Sequence, residues 1–152
     1  MNPWLIEQDI YEGQNDYPRP WRIRFLGSHV CDQLSEADHK VRIFECVSSP
    51  WFRHDQEMIV GDLLDEKTLA KAISGCEVVY NFAAIADLDE ALNKPVETAK
   101  INVLGNVMLL EACRKVQVQR YIYASTLYVY SRDGGFYSCS KQSAEHYVEE
   151  FQ

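Results

Sequence analysis

Residues 120–141 read Arg120-Tyr-Ile-Tyr-Ala-Ser-Thr-Leu-Tyr-Val-Tyr-Ser, then Arg-Asp-Gly-Gly-Phe, then Tyr137-Ser-Cys-Ser-Lys141. The opening run is apolar, β-branched and aromatic, and it stops at Ser125 and Thr126. Such a run is a buried strand that ends in hydroxyls. Asp133, Gly134 and Gly135 form a turn. A helical segment follows from Tyr137 to Phe151. Tyr137 and Lys141 are four residues apart and project from one face of it. Hydroxyls at a strand end beside a helical Tyr and Lys make a proton-transfer site. The ammonium is expected to favour the phenolate and lower the tyrosine pKa towards the working pH.

These residues resemble the extended short-chain dehydrogenase/reductase family, the NAD-dependent nucleotide-sugar epimerases and dehydratases. Tyr137-x-x-x-Lys141 is similar to the family's catalytic pair, and Ala124 to Tyr130 to its strand-end motif. Aligned on Val129-Tyr130, Thr126 takes the place of the catalytic Ser/Thr. Tyr-x-x-x-Lys alone specifies little, so the context has to carry it.

That context runs from Gly27 onward. Phe25 to Leu34 has the pattern of the helix that follows a dinucleotide loop, with Gly27 at its start. Lys40 to Glu45 is a short alternating strand ending in an acid, 18 residues after Gly27, close to the spacing of the dinucleotide fingerprint. Glu45 is either an exposed strand-end carboxylate or the acid that binds the adenosine ribose hydroxyls. In the second case it repels a 2′-phosphate and selects NAD over NADP. Met58 begins a third strand leading to Asp62 and Leu63, which the resemblance places around the adenine. Asp65 is the better candidate to cap the helix Glu66–Ser74. Glu77 to Ala84 is a fourth strand; the resemblance passes Phe82, Ala83 and Ala84 over the dinucleotide.

Asp87–Pro95 is polar and reads as a loop. Val96–Val116 reads as one long helix with Val96, Ala99, Val103, Val107 and Leu110 facing a sheet. Asn102 on it either faces solvent or, by resemblance, lies near the catalytic strand ends and the cofactor. In the last helix Ser140, Ala144, Val148 and Phe151 form the inner stripe, and Glu145, Glu149 and Glu150 face water. Strands alternating with helices predict an α/β fold, a doubly wound parallel sheet. With right-handed crossovers, the Rossmann-like order is 3-2-1-4-5, and Glu45, Asp62, Ala83 and Thr126 all fall at carboxyl strand ends.

The glycine loop departs from the family. Counting back from Gly27, its other two glycine positions hold Trp21 and Arg24, so the first strand and loop are degraded. Residues 1–20 read as irregular, with a short helix at Pro3–Ile10, and the dinucleotide-binding domain as 21–152. Either Trp21–Phe25 serves as a shortened first strand, or the stretch is a frame slip. The second reading is favoured. Trp21 is encoded TGG, and if Arg22 begins CG, reading one nucleotide later gives GGC, a glycine codon. The gap from Thr126 to Tyr137 is also short for the family.

The net charge is −8 without a Lys/Arg cluster, which argues against nucleic acid or an anionic membrane as partner. No apolar run reaches the roughly 18 residues of a membrane span. Five dispersed Cys without C-x-x-C spacing read as reduced core thiols in a cytoplasmic protein, and four dispersed His suggest no metal site. The resemblance implies NAD as cofactor, a nucleotide sugar as substrate, Tyr137 as base, Lys141 on the nicotinamide ribose, and Thr126 on the reacting oxygen. It also implies a homodimer through helices 96–116 and 138–152. The chain stops at Gln152, just past the Tyr137 helix. The expectation is therefore a truncated copy without its substrate lobe and with little turnover; a non-catalytic nucleotide-binding or dimerising module is the alternative.

Overall fold

The computed structural model describes residues 3–6, 24–49 and 52–152. Five parallel strands form one sheet: β1 (Pro3–Ile6), β2 (Arg42–Glu45), β3 (Glu57–Val60), β4 (Val78–Asn81) and β5 (Arg120–Tyr123). Their order is β3-β2-β1-β4-β5, as the crossover rule predicts. The helices are α1 (Arg24–Glu36), α2 (Glu66–Ile73), α3 (Leu88–Asn93), α4 (Pro95–Ala99), α5 (Asn106–Val116) and α6 (Gly135–Glu150). A π-helical segment, Lys100–Gly105, joins α4 to α5.

The pleat distributes side chains to two layers. Along β2, Phe44 enters a core with Leu69, Ile73, Val79, Leu109 and Cys113, built from α2 and α5. Its neighbour Ile43 enters a separate core with Cys31 of α1, against which Met58 and Tyr80 pack. Successive residues point to opposite faces of a strand, so a sheet covered on both sides needs such a continuous apolar run. Each large aliphatic side chain buried this way contributes about 1.5–3 kcal/mol.

Three expectations change. Pro3–Ile6 is not helical: it is the central strand, with Ile6 opposite both Phe44 and Asn81. Of the stretch expected as a shortened first strand, Arg24 and Phe25 belong to α1, and residues 21–23 lie outside the described ones. A run of four residues is too short for its period to distinguish strand from helix. The frame-slip positions up to 23, and the domain boundary at 20, lie outside the described residues.

Asp87–Pro95 is not a loop. Asp87 accepts the Glu90 N–H at 3.0 Å and caps α3, whose Ala91 is completely buried, and Pro95 opens α4. Nor is 96–116 one regular helix facing the sheet with its valines. The π segment shifts the register, so that Val96 and Ala99 are exposed and Val103 and Val107 half-buried. Ile101, Asn102, Gly105, Asn106 and Leu109 take the inner face instead.

Arg42 ties sheet to helix. Its Nη1 donates to the carbonyls of Ala72 at 2.8 Å and Ser74 at 3.1 Å, closing the C-terminus of α2, while Nε pairs with Glu57. A lysine cannot serve three acceptors with one fixed fork. Arg42→Lys is therefore expected to lower stability by about 1–2 kcal/mol. Urea unfolding checks it; an unchanged midpoint would refute the capping role.

Candidate active site

All five strands end at one edge, since Glu45 lies opposite Val60 and Asn81 opposite Tyr123. The part of the site best defined by contacts is the junction of β5 and α6. After β5 the chain stays extended to Thr126, whose Oγ1 accepts the Tyr128 N–H at 3.3 Å and caps a 3₁₀ turn at Leu127–Tyr130. Ser138 of α6 donates to the Tyr128 carbonyl at 2.8 Å, and the Gln142 amide donates to the Val129 carbonyl. The short gap between Thr126 and Tyr137 closes through two glycines. Gly135 has φ +51°, and a Cβ on Gly134 would lie 2.6 Å from Ser138 Cβ and 2.8 Å from Tyr128 Cβ.

This turn brings Thr126 close enough to Tyr137 to act on its ionisation. Tyr137 is buried, with Tyr128 edge-on at 6.4 Å between ring centroids. Burial raises its pKa, Thr126 opposes that rise, and Tyr128 adds to it. The expected lowering by Lys141 is not what the structure shows. Lys141 is 2% exposed, and its Nζ donates to the Ala124 carbonyl at 2.6 Å and lies 4.1 Å from the Tyr123 ring centroid. Burial pushes the Lys141 amine down to about 8, and the nearby Glu145 carboxylate resists the fall.

Glu145 does not simply face water. It is half-buried and accepts a hydrogen bond from Ser125. Sequence reasoning missed Glu145 and Tyr123. Glu145 was detectable, because Tyr137, Lys141 and Glu145 repeat at four-residue steps along one helix face.

Asn102 is neither solvent-facing nor free to reach a ligand with its amide. It is 1% exposed; its Oδ1 accepts the Ile85 N–H at 2.8 Å, and its Nδ2 donates to the Ile85 carbonyl at 3.1 Å and to Ser140 Oγ at 2.9 Å. It fastens the loop after β4 to α6, between Tyr137 and Lys141.

The other half lies at β2, β3 and β4. Glu45 ends β2 and is 1% exposed. Asp62 is exposed, and its Oδ1 accepts the Leu64 N–H at 2.8 Å. The Leu63 side chain is taken up by the core with Phe44 and Leu69. Phe82 stacks on Tyr80 at 6.4 Å and packs towards α1. Ala83 and Ala84 are small and buried after β4, and Gly27 sits buried in the first turn of α1. By residue type the set fits a dinucleotide: Glu45 would take one ribose diol, Lys141 and Tyr137 the other, and the small Ala83 and Ala84 would admit close approach. The residues that would hold a pyrophosphate between β1 and α1 fall outside the described ones.

Residues 24–152 match the NAD dependent epimerase/dehydratase family. The chain belongs to that family. It is 34% identical over 119 residues to a UDP-glucose 4-epimerase of Yersinia pestis, covering 70% of this chain and 35% of that one. It is 31% identical over 107 residues to a 3-beta-hydroxysteroid dehydrogenase of Mycolicibacterium neoaurum, covering 67% of this chain and 29% of the relative. The solved UDP-glucose 4-epimerase of Thermus thermophilus, in complex with NAD, superposes with a TM-score of 0.80 at 22% identity, over 98% of this chain and 50% of that one. The likeness in structure confirms the doubly wound fold. The chain thus spans about a third of these curated relatives and half of that solved chain. Among the described residues no helix is long and apolar enough to cross a membrane.

The buried amine has a measurable signature. Lys141 titrates at about 8 in the fold, against an ordinary 10.5. Between these values the unfolded chain binds more protons, so stability from this group rises with pH. From about pH 8 to pH 10.5 the native chain should gain on Lys141→Met by on the order of 2–3 kcal/mol. Urea unfolding at the two pH values tests this; a constant difference would contradict the buried ammonium.

Proposed function

We propose that this chain carries the cofactor-binding and acid–base groups of an NAD-dependent epimerase/dehydratase reaction on a nucleotide sugar. One observation carries the reading: Tyr137 on α6 lies beside Thr126 just after β5, with Lys141 one helical turn away. Tyr137 takes the proton from a sugar hydroxyl, and Thr126 hydrogen-bonds the same oxygen. Glu45 binds the adenosine ribose hydroxyls, and Lys141 the nicotinamide ribose. NAD, when bound, supplies the redox chemistry, and the protein orients it. The sugar-nucleotide class follows the relatives named UDP-glucose 4-epimerase. Burial holds Tyr137 as a phenol at neutral pH, so proton abstraction gains as pH rises.

The deciding experiment is a thermal-shift titration with NAD and, separately, NADP. NAD at about 100 times its dissociation constant should stabilise the chain by about 2.7 kcal/mol. NADP should give no shift, because Glu45 repels the 2′-phosphate. Tyr137→Phe should keep the NAD response and, with substrate, lose turnover by about 10²–10⁴-fold. Equal responses to both cofactors, or none to either, would sink the cofactor assignment.

Association through helices 96–116 and 138–152 belongs to the same reading. Val96, Leu104 and Tyr147 are 59%, 50% and 45% exposed there. Val96, Leu104 and Phe136 line an apolar hollow of about 540 Å³. A second copy covering this face removes apolar surface from water. Light scattering should give twice the 17.6 kDa chain mass, and the pair Val96→Glu with Leu104→Glu should return it to one. A monomer mass for the native chain at high concentration would rule the dimer out.

A further inference from the structure

The hold on Lys141 depends on a residue that the proposed reaction does not name. One carbonyl, that of Ala124, occupies one of the three ammonium N–H donors. The ring of Tyr123 lies beneath the same nitrogen at 4.1 Å, well inside cation–π range. The Tyr123 hydroxyl, by contrast, is buried without a hydrogen-bond partner among the described residues. A buried tyrosine used for its hydroxyl normally pairs it. Here the ring face is the part in use. Burial raises the Tyr123 pKa, and Tyr137 and Glu145 raise it further, so the ring meets the ammonium as a neutral phenol.

We propose that Tyr123 is a positioning residue for Lys141, its ring face fixing the ammonium at the carboxyl end of β5. A role in the reaction rests on the reading of Lys141 given above. The groups facing the amine are the Tyr123 ring of β5, the carbonyl of Ala124 just after it, and Glu145 from α6. The carbonyl and carboxylate stay in place when only the ring is altered. The ring's share of the hold is therefore separable.

The test places phenylalanine, 3,4,5-trifluorophenylalanine or leucine at position 123 of the full chain. Competitive acetylation of amines across pH, read by peptide mass mapping, gives the Lys141 midpoint, about 8 in the native chain. Tyr123→Phe should leave that midpoint in place. Trifluorophenylalanine keeps the shape and drains the ring face, and should lower it by about one pH unit; Tyr123→Leu should do the same. The fluorinated chain keeps the test decisive where leucine prevents folding. Equal midpoints with phenylalanine and trifluorophenylalanine would overturn the proposal. If both midpoints fall together, the effect belongs to the hydroxyl. The midpoint needs no cofactor. An NAD titration of the same chains therefore judges the reading of the site separately: no thermal shift would count against that reading and leave the Tyr123 comparison standing.

Discussion

A lysine ammonium almost wholly removed from water is the most demanding group in this molecule. Uncompensated burial of such an ion costs several kcal/mol. The compensation comes from parts that must be held in register: the Tyr123 ring of β5, the Ala124 carbonyl just after it, and the Glu145 carboxylate from α6. None of these works if the helix slides against the strand. The 3₁₀ turn, the two glycines, and the Ser138 and Gln142 bonds to turn carbonyls fix that relation. The same fastenings bring Thr126 to Tyr137, so packing and proton chemistry share one set of contacts.

A second polar system fixes α5, the π segment and α6 to the sheet. Asn81 of β4 donates to Asn106 at 3.0 Å and to the Tyr121 hydroxyl at 2.7 Å, and its Oδ1 accepts the Ala83 N–H. Tyr121 in turn donates to Asn106 at 2.6 Å. Asn102 does the equivalent work one turn earlier, towards Ile85 and Ser140. Buried amides left without partners are costly, so each bond restricts where the helices can sit. The π segment, Lys100–Gly105, contains Asn102 and leads directly into Asn106. It turns polar residues inward where a regular helix would present its valines.

The strand ends were legible in the sequence for a simple reason. Each apolar run stops at a residue of different chemistry: Glu45, Asp62, the paired alanines, Thr126. The order of the strands then follows from handedness. What stayed hidden has physical causes too. Pro3–Ile6 is too short to show a period. Asp87–Asn93 looks like a loop because α3 buries a single alanine. The valine stripe misled because the spacing argument assumes 3.6 residues per turn, and the π segment departs from it. The orientation of Lys141 was out of reach, since spacing places an amine on a helix face without saying which neighbour it meets.

That last point bears on how the tyrosine works. Spacing alone makes Lys141 the agent that lowers the Tyr137 pKa. In the structure burial dominates and raises it, the Thr126 hydroxyl opposes the rise, and the ammonium is committed to Ala124 and Tyr123. A phenol in that state holds its proton at neutral pH. The two groups of the pair are therefore separately maintained, each by its own neighbour: Tyr137 by a hydroxyl at the end of β5, Lys141 by a carbonyl and a ring just before it. The chemistry of the site rests on the end of β5 as much as on the helix that carries the motif.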